Sequence, residues 1–385
     1  MLEGGVWPNS MCARPAGQAK SETGQLMDIY EKLREVLDRH ISGAPESGHF
    51  DGILKTLFTP DEAALAVHMK FRPQPAAKIA SVAGCDEQKA VGLLESMADK
   101  GIVFSRDKDN VRGYALLPTV PGLFEFPFMR GDKTPMHDRL AKLWAAYHEE
   151  ALGNEFAGSK TPFARIIPVE QTVDAQNEVM PYEALSEMLK LSTDFAVANC
   201  ACRATMDRCE KPRELCLMFD QAAQFLVSRG LARPISRQEA MAVLALAEKE
   251  GLVHTTNNSG DRLNFVCNCC SCCCTILRGL TELSNPNAFA KSRWLAKVDE
   301  NFCIGCGVCE EERCPMEAIL LEDGIASVDE GRCIGCGLCV SACETRAISM
   351  KPRPGAIEPP ATMAQMGLAI AKEKDRLEKF LGMMS

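Results

Sequence analysis

No stretch of this 385-residue chain is apolar for long enough to cross a bilayer, and its first thirty residues lack the basic start and apolar run of a secretory signal. A cytoplasmic location is the expectation. An excess of positive charge is missing too: 43 Lys and Arg stand against 52 Asp and Glu, a net of -9. That balance argues against a surface given over to nucleic acid or anionic lipid, since phosphate contacts need clustered cations. There is no phosphate-binding loop and no Gly-x-Gly-x-x-Gly after a strand, so no nucleotide or flavin site of a known pattern is present. Histidine is sparse. His40, His49, His68, His137, His148 and His254 are scattered and read as ordinary core or surface residues; only His254, close to a group of cysteines, is a candidate proton donor or ligand.

What the chain has in excess is cysteine, 20 in all. In a reducing compartment such a density points to metal or redox chemistry rather than disulfides. Cys12 and Cys85 stand alone. The rest fall into four groups, Cys200 to Cys216, Cys267 to Cys274, Cys303 to Cys314 and Cys333 to Cys343.

The expected class is α+β, divided into several domains. Residues 1–24, rich in Gly, Pro, Ser and Ala, read as a disordered start. Residues 25–130 read as a winged helix-turn-helix. The capping box Thr59-Pro60-Asp61-Glu62 opens one helix, a second covers Ala76 to Val82, and a third runs from Asp86 to Lys100 and stops at Gly101; a short hairpin then turns at Asp107-Lys108-Asp109-Asn110. Residues 131–296 read as a cysteine-rich α/β domain. It has helices at Pro135 to Leu152, Tyr182 to Leu191 and Asp220 to Arg229, and one from the Ser236 capping box to Gly251; strands are expected at Ala164 to Thr172, Phe195 to Ala198, Leu252 to Thr255 and Leu263 to Val266. Residues 297–350 read as a small unit built on the last two cysteine groups, and residues 351–385 as a tail with a short helix.

In the C-terminal unit Cys303, Cys306 and Cys309 recur at intervals of three before Cys314-Pro315; Cys333, Cys336 and Cys339 do the same before Cys343. Two such runs are an internal duplication. Zinc sites usually use two separated Cys pairs, so three evenly spaced thiolates and a distant fourth favour iron and sulfur. The pattern resembles the bacterial two-cluster ferredoxins, in which the fourth cysteine of each run ligates the other cluster. The resemblance implies two 4Fe-4S clusters, one on Cys303, Cys306, Cys309 and Cys343, the other on Cys333, Cys336, Cys339 and Cys314. The first run departs by one extra residue before Cys314, and Glu344 stands where the second would have Pro.

The middle cysteines are less determinate. Cys200, Cys202, Cys209 and Cys216 offer four thiolates, and Cys267, Cys269, Cys270, Cys272, Cys273 and Cys274 offer six within eight residues. Neighbours in an extended segment point to opposite sides, so those six cannot all face one cubane. Two further 4Fe-4S clusters are the preferred reading. One cluster with redox-active thiols, or a non-cubane cluster sharing both groups, are alternatives. Arg203 and Arg278 are candidates to lie near the sulfurs and tune them by charge and hydrogen bonding, the alternative being solvated helix residues.

The order of winged helix, Cys-x-Cys-Arg, Cys-Asn-Cys-Cys and terminal ferredoxin resembles a group of 4Fe-4S dicluster-domain proteins of anaerobic bacteria and archaea. The resemblance fixes no substrate; the cluster content itself reads as a carrier that relays single electrons to or from a partner oxidoreductase. The alternatives are a redox-sensing transcription regulator, or a reductase with catalysis at the middle cysteines. From Asp51 to Arg112 nine basic residues meet nine acidic ones, and the candidate recognition helix begins Asp86-Glu87. Both features argue against DNA, despite Arg106, Lys108 and Arg112 on the wing.

Overall fold

The computed structural model describes residues 28–156, 158–173, 179–283 and 285–384. Residues 1–24, read from sequence as disordered, and Cys12 with them, lie outside the described residues.

The N-terminal part carries helices Ile29–Leu37, Gly48–Leu57, Pro60–Ala66, Ala76–Ala83 and Glu87–Asp99. A small sheet follows, with Val111–Leu116 between Val103–Lys108 and Gln74–Pro75. The Thr59 capping box forms: its hydroxyl accepts from the Glu62 N–H while the Glu62 carboxylate accepts from the Thr59 N–H. Glu62 is itself buried, and its charge is met by Lys100 at 2.6 Å. Asp109 and Asn110 both take positive φ, which is what a two-residue hairpin turn demands.

The apolar core built on Leu33, Phe50 and Leu94 continues without a break through Trp144 and Tyr147 of helix Pro135–Tyr147 into Ala196, Phe225 and Leu226. Against this core lies His148, 1% exposed, with no hydrogen-bond partner for either ring nitrogen. Burial, and then the Arg278 guanidinium, push its pKa down to about 4. The native state therefore refuses a proton that the unfolded chain accepts near pH 6.5. Its contribution to stability is present above that pH and is lost as pH falls toward 4, by no more than roughly 3 kcal/mol. His148→Leu is expected to flatten the loss of melting temperature between pH 7.5 and 5.5, measured anaerobically on the metal-loaded protein. An equal fall in both proteins would show that His148 is not the titrating group.

The middle of the chain is a seven-stranded sheet in the order Phe289–Ala290, Ala164–Ile167, Val253–Asn257, Phe265–Cys269, Glu214–Phe219, Phe195–Asn199, Arg233–Ile235. Its pairings are antiparallel except for the first, Phe289 beside Ala164. Helices Asp220–Ser228 and Arg237–Lys249 pack on it, the second opened by the Ser236–Glu239 capping box.

Two expected elements of the middle region differ. The strand predicted to reach Thr172 ends at Ile167, because Pro168 has no N–H to give the ladder, and a single turn at Glu170–Thr172 follows. The helix predicted over Tyr182 to Leu191 is broken into the short turns Pro181–Glu183, Leu185–Met188 and Leu189–Leu191. The Tyr182 carbonyl, which a helix would use internally, accepts instead from the buried Arg165 guanidinium at 2.7 Å.

Beyond residue 290 the strand Trp294–Val298 pairs with Ile348–Pro352, and Ile319–Glu322 pairs with Ile325–Val328. The tail holds two helices, Met363–Glu373 and Leu377–Met384, where one short helix was expected. They return to the N-terminal part: Met366, Ile370 and Phe380 pack with Ile41, and Lys374 Nζ reaches Glu155 and the Ile41 carbonyl at 3.0 Å. No helix of the described residues is long and apolar enough to cross a membrane.

Candidate metal centres

Each cysteine run of the C-terminal unit is a tight loop whose glycines sit at positive φ: Gly305 and Gly307 in the first, Gly335 and Gly337 in the second. Gly335 is also sterically fixed, since a Cβ there would collide with the Ser292 hydroxyl and the Trp294 carbonyl. Backbone N–H groups point at sulfur, from Ala318 to Cys314 Sγ at 3.2 Å and from Ala326 to Cys303 Sγ at 3.5 Å. Cys309 feels the charges of Cys306, Cys303 and Cys343, whereas Cys336 feels Cys314 and Cys333, and Cys339 feels Cys336, Cys314 and Cys333 before the more weakly acting Cys309. The fourth cysteine of each run thus lies with the first three of the other.

The two groups differ in exposure. Cys333, Cys336 and Cys339 are buried and, with Cys314, line a small enclosed cavity. Burial pushes the Cys336 thiol up to about 12. Cys306 is exposed, flanked by Phe302 and Ile304, which are 60% and 71% exposed. The buried run is held to the middle sheet: the Val169 N–H donates to the Cys336 carbonyl at 2.9 Å, and Arg313 donates to the carbonyls of Lys249, Glu248 and Leu338.

In the middle region, sheet register decides which thiols meet. Leu217 pairs with Val266 and Met218 with Phe265, so Cys216 lies beside Cys267 on the neighbouring strand. Cys267 and Cys269, two apart, share a face. Asn268 between them turns away and bonds His254 at 2.7 Å and the Leu215 carbonyl at 2.6 Å. Cys200 ends the strand Phe195–Asn199, and Cys202 lies in the first turn of helix Ala201–Met206. Cys274 follows the second strand and accepts the Leu277 N–H at 3.3 Å.

These six thiols, with Cys270 at the edge, line one mostly apolar cavity walled by Pro121, Met129, Phe163, Phe265 and Ile276. They face one another in a closed order: Cys200, Cys202, Cys274, Cys269, Cys267, Cys216 and back to Cys200. Cys200 and Cys269 are held toward thiolate by their flanking thiols, Cys200 chiefly by Cys202 and Cys269 chiefly by Cys267, while Cys202, Cys216, Cys267 and Cys274 are pushed up.

The other four middle cysteines form a second group. The sulfurs of Cys209, Cys270, Cys272 and Cys273 all lie within 4.8 Å of one another. Cys209 Sγ is 3.9 Å from Cys270 Sγ and 3.8 Å from Cys273 Sγ. Hydrogen bonds from Cys273, and then Cys272, help lower Cys270 to about 5, and burial raises Cys272 to about 12. Sulfurs this close match the corners of a tetrahedron around a single metal ion, and would have to spread apart to seat a cubane. The sequence groups Cys200 to Cys216 and Cys267 to Cys274 are therefore each divided between two sites.

Arg203 stands between the two. It is 1% exposed, and its Nη1 donates to the Asn268 carbonyl at 2.9 Å, while Nε and Nη2 have no hydrogen-bond partner. Burial opposes its charge, but Cys200, Cys216 and Cys270 outweigh burial and hold the guanidinium protonated.

Arg278, expected beside the sulfurs, instead pairs with Glu149 at 2.9 Å and with Glu282. Its acid partner Glu149 lies far off in sequence, which hid this pairing. His254 is buried on the face turned from the six thiols and, bonded to Asn268, is spent on structure. Sequence reasoning missed Glu125, which lines the six-thiol cavity and accepts the Gly122 N–H at 2.7 Å, and Thr255 and Thr275, which meet Cys269 at 3.5 Å and Cys202 at 3.6 Å. Nothing in the Phe-Pro-Gly linker or the strand marks them.

Residues 326–349, spanning Cys333, Cys336, Cys339 and Cys343, match the 4Fe-4S binding domain family Fer4. No curated protein and no solved structure matches the chain. The chain thus carries a 4Fe-4S binding domain at its second C-terminal cysteine run and, in its middle, a cluster of four thiols able to hold a metal centre.

Proposed function

We propose that the chain is an iron-sulfur electron-transfer protein that relays single electrons to or from a partner oxidoreductase, in the cytoplasm of an anaerobe. In this reading Cys303, Cys306, Cys309 and Cys343 hold one 4Fe-4S cluster, and Cys333, Cys336, Cys339 and Cys314 hold another, each cluster supplying one-electron chemistry. The four-thiol group on Cys209, Cys270, Cys272 and Cys273 holds a further cluster.

The observation that carries it is continuity. Cys267, Cys269 and Cys274 of the middle region share one hydrophobic core with seven of the eight C-terminal cysteines, the exposed Cys306 standing outside it. A core of this kind keeps water from the thiolates and holds the two regions at a fixed separation. The exposed rim at Cys306, Phe302 and Ile304, with the Glu310-Glu311-Glu312 run nearby, suits the approach of a redox partner.

The N-terminal helices and their three-stranded sheet follow the order of a winged helix, which serves here as a docking element within the molecule. Arg106 donates to Gln221 at 2.8 Å, Arg112 pairs with Glu95 and Asp107, and Phe104 packs on Phe225 at 5.0 Å. With two wing arginines engaged, little counterion release remains to drive DNA binding. The protein is expected to give no salt-sensitive, sequence-dependent shift with duplex DNA from its own locus; such a shift would favour a redox-sensing regulator.

The relay is tested by anaerobic freeze-quench EPR on full-length holoprotein mixed with dithionite. Signals of the C-terminal clusters are expected first, followed by a middle signal broadened by spin coupling to them. Middle iron that stays oxidised while the C-terminal clusters are fully reduced would refute the relay.

A further inference from the structure

The six thiols of Cys200, Cys202, Cys216, Cys267, Cys269 and Cys274 exceed what a cubane can use. A 4Fe-4S cubane presents four iron corners, each taking one terminal thiolate. Seating one in the cavity would leave two thiols buried against its sulfides with no iron to bind. Nothing local forces six cysteines onto this surface. Cys216, Cys267 and Cys269 come from two neighbouring strands, Cys200 and Cys202 from the end of a third, and Cys274 from a loop.

A second observation is the cation set among these thiols. Arg203 lines the same cavity, almost wholly buried, with two nitrogens unpartnered. Burying a guanidinium without satisfying it is costly, so a strongly anionic guest is the natural partner for those donors. Besides the thiols and the hydroxyls of Thr255 and Thr275 the cavity wall is apolar, and it offers no carboxylate beyond Glu125, whose Oε2 already accepts from Gly122.

We propose that this ring of six thiols binds an iron-sulfur cluster larger than a cubane, with all six cysteines as ligands, some of them bridging, and Arg203 donating to its sulfur face. The proposal rests on the reading that the middle cysteines hold iron and sulfur. It adds a separate site of higher nuclearity, distinct from the four-thiol group.

The experiment uses full-length protein reconstituted anaerobically with iron and sulfide. A Cys209→Ser/Cys272→Ser variant empties the four-thiol site, and wild type serves alongside in case that variant folds poorly. Two readings are taken: iron and acid-labile sulfide per chain, and alkylation of native holoprotein mapped by mass spectrometry. Expected are clearly more than about twelve irons in the variant, and more than about sixteen in wild type, with all six ring cysteines protected until iron is chelated. About twelve irons in the variant with two ring cysteines alkylated would overturn the larger cluster while leaving middle iron-sulfur chemistry standing. About eight irons with the whole ring alkylated would overturn both.

Discussion

Full-length protein carrying Cys209→Ser and Cys270→Ser is expected to lose about four irons relative to wild type while keeping the EPR signal of its C-terminal clusters. The four sulfurs lie within 4.8 Å of one another, and Cys270 is already held toward thiolate at about 5, so the group is poised to bind a metal centre before any rearrangement. Serine keeps the volume and removes the acidic sulfur that a soft metal requires. The site has its own apolar surround in Leu215, Ala247 and Leu252, separate from the core around the C-terminal thiols, so its loss need not propagate there. Metal analysis with EPR on anaerobic preparations checks this. Loss of one zinc with iron unchanged would reassign the site as structural, and no change in any metal would remove it from the relay.

How much of this was readable beforehand follows from how local each feature is. The C-terminal runs were legible because ligands three residues apart, with glycines between them, constrain one loop, and the order of helices and hairpin before residue 118 was legible from capping boxes and turn residues. The division of the middle cysteines was not. It depends on Cys216 lying beside Cys267 through strand pairing, and on Cys209 reaching across more than sixty residues to Cys270 and Cys273. Alternation within a strand did indicate that Cys267 to Cys274 could not share one partner, and the structure sends Cys267, Cys269 and Cys274 one way and Cys272 and Cys273 the other, with Cys270 in the second group but at the edge of the first cavity. Arg203 and Arg278 looked equivalent in sequence, each close to cysteines. Only tertiary placement separates them, one left with unpartnered nitrogens among thiols and the other closed off by Glu149 and Glu282.

Arg203→Leu is expected to have the largest effect of any single change outside the cysteines. The guanidinium is the buried cation that lines the six-thiol cavity and also interacts with Cys270 of the four-thiol group, so its removal leaves the buried anionic sulfur of both without a counter-charge. Breaking a buried charge pair in this way costs about 3–5 kcal/mol, enough either to prevent the middle sites from filling or to disfavour their reduction. Where the clusters still assemble, their midpoint potentials should fall on the order of 100 mV, because an added electron no longer meets a nearby positive charge. Arg203→Lys keeps the charge but loses the planar fork that now reaches the Asn268 carbonyl, so it should recover part of the potential and less of the iron content. The C-terminal clusters serve as the internal reference, since no C-terminal cysteine is among the thiols that hold Arg203 charged. An anaerobic EPR redox titration of the three proteins reads both effects at once. Middle-site potentials and iron content equal to wild type in Arg203→Leu would show that the guanidinium only fills space, and that the thiols set their own electrostatics.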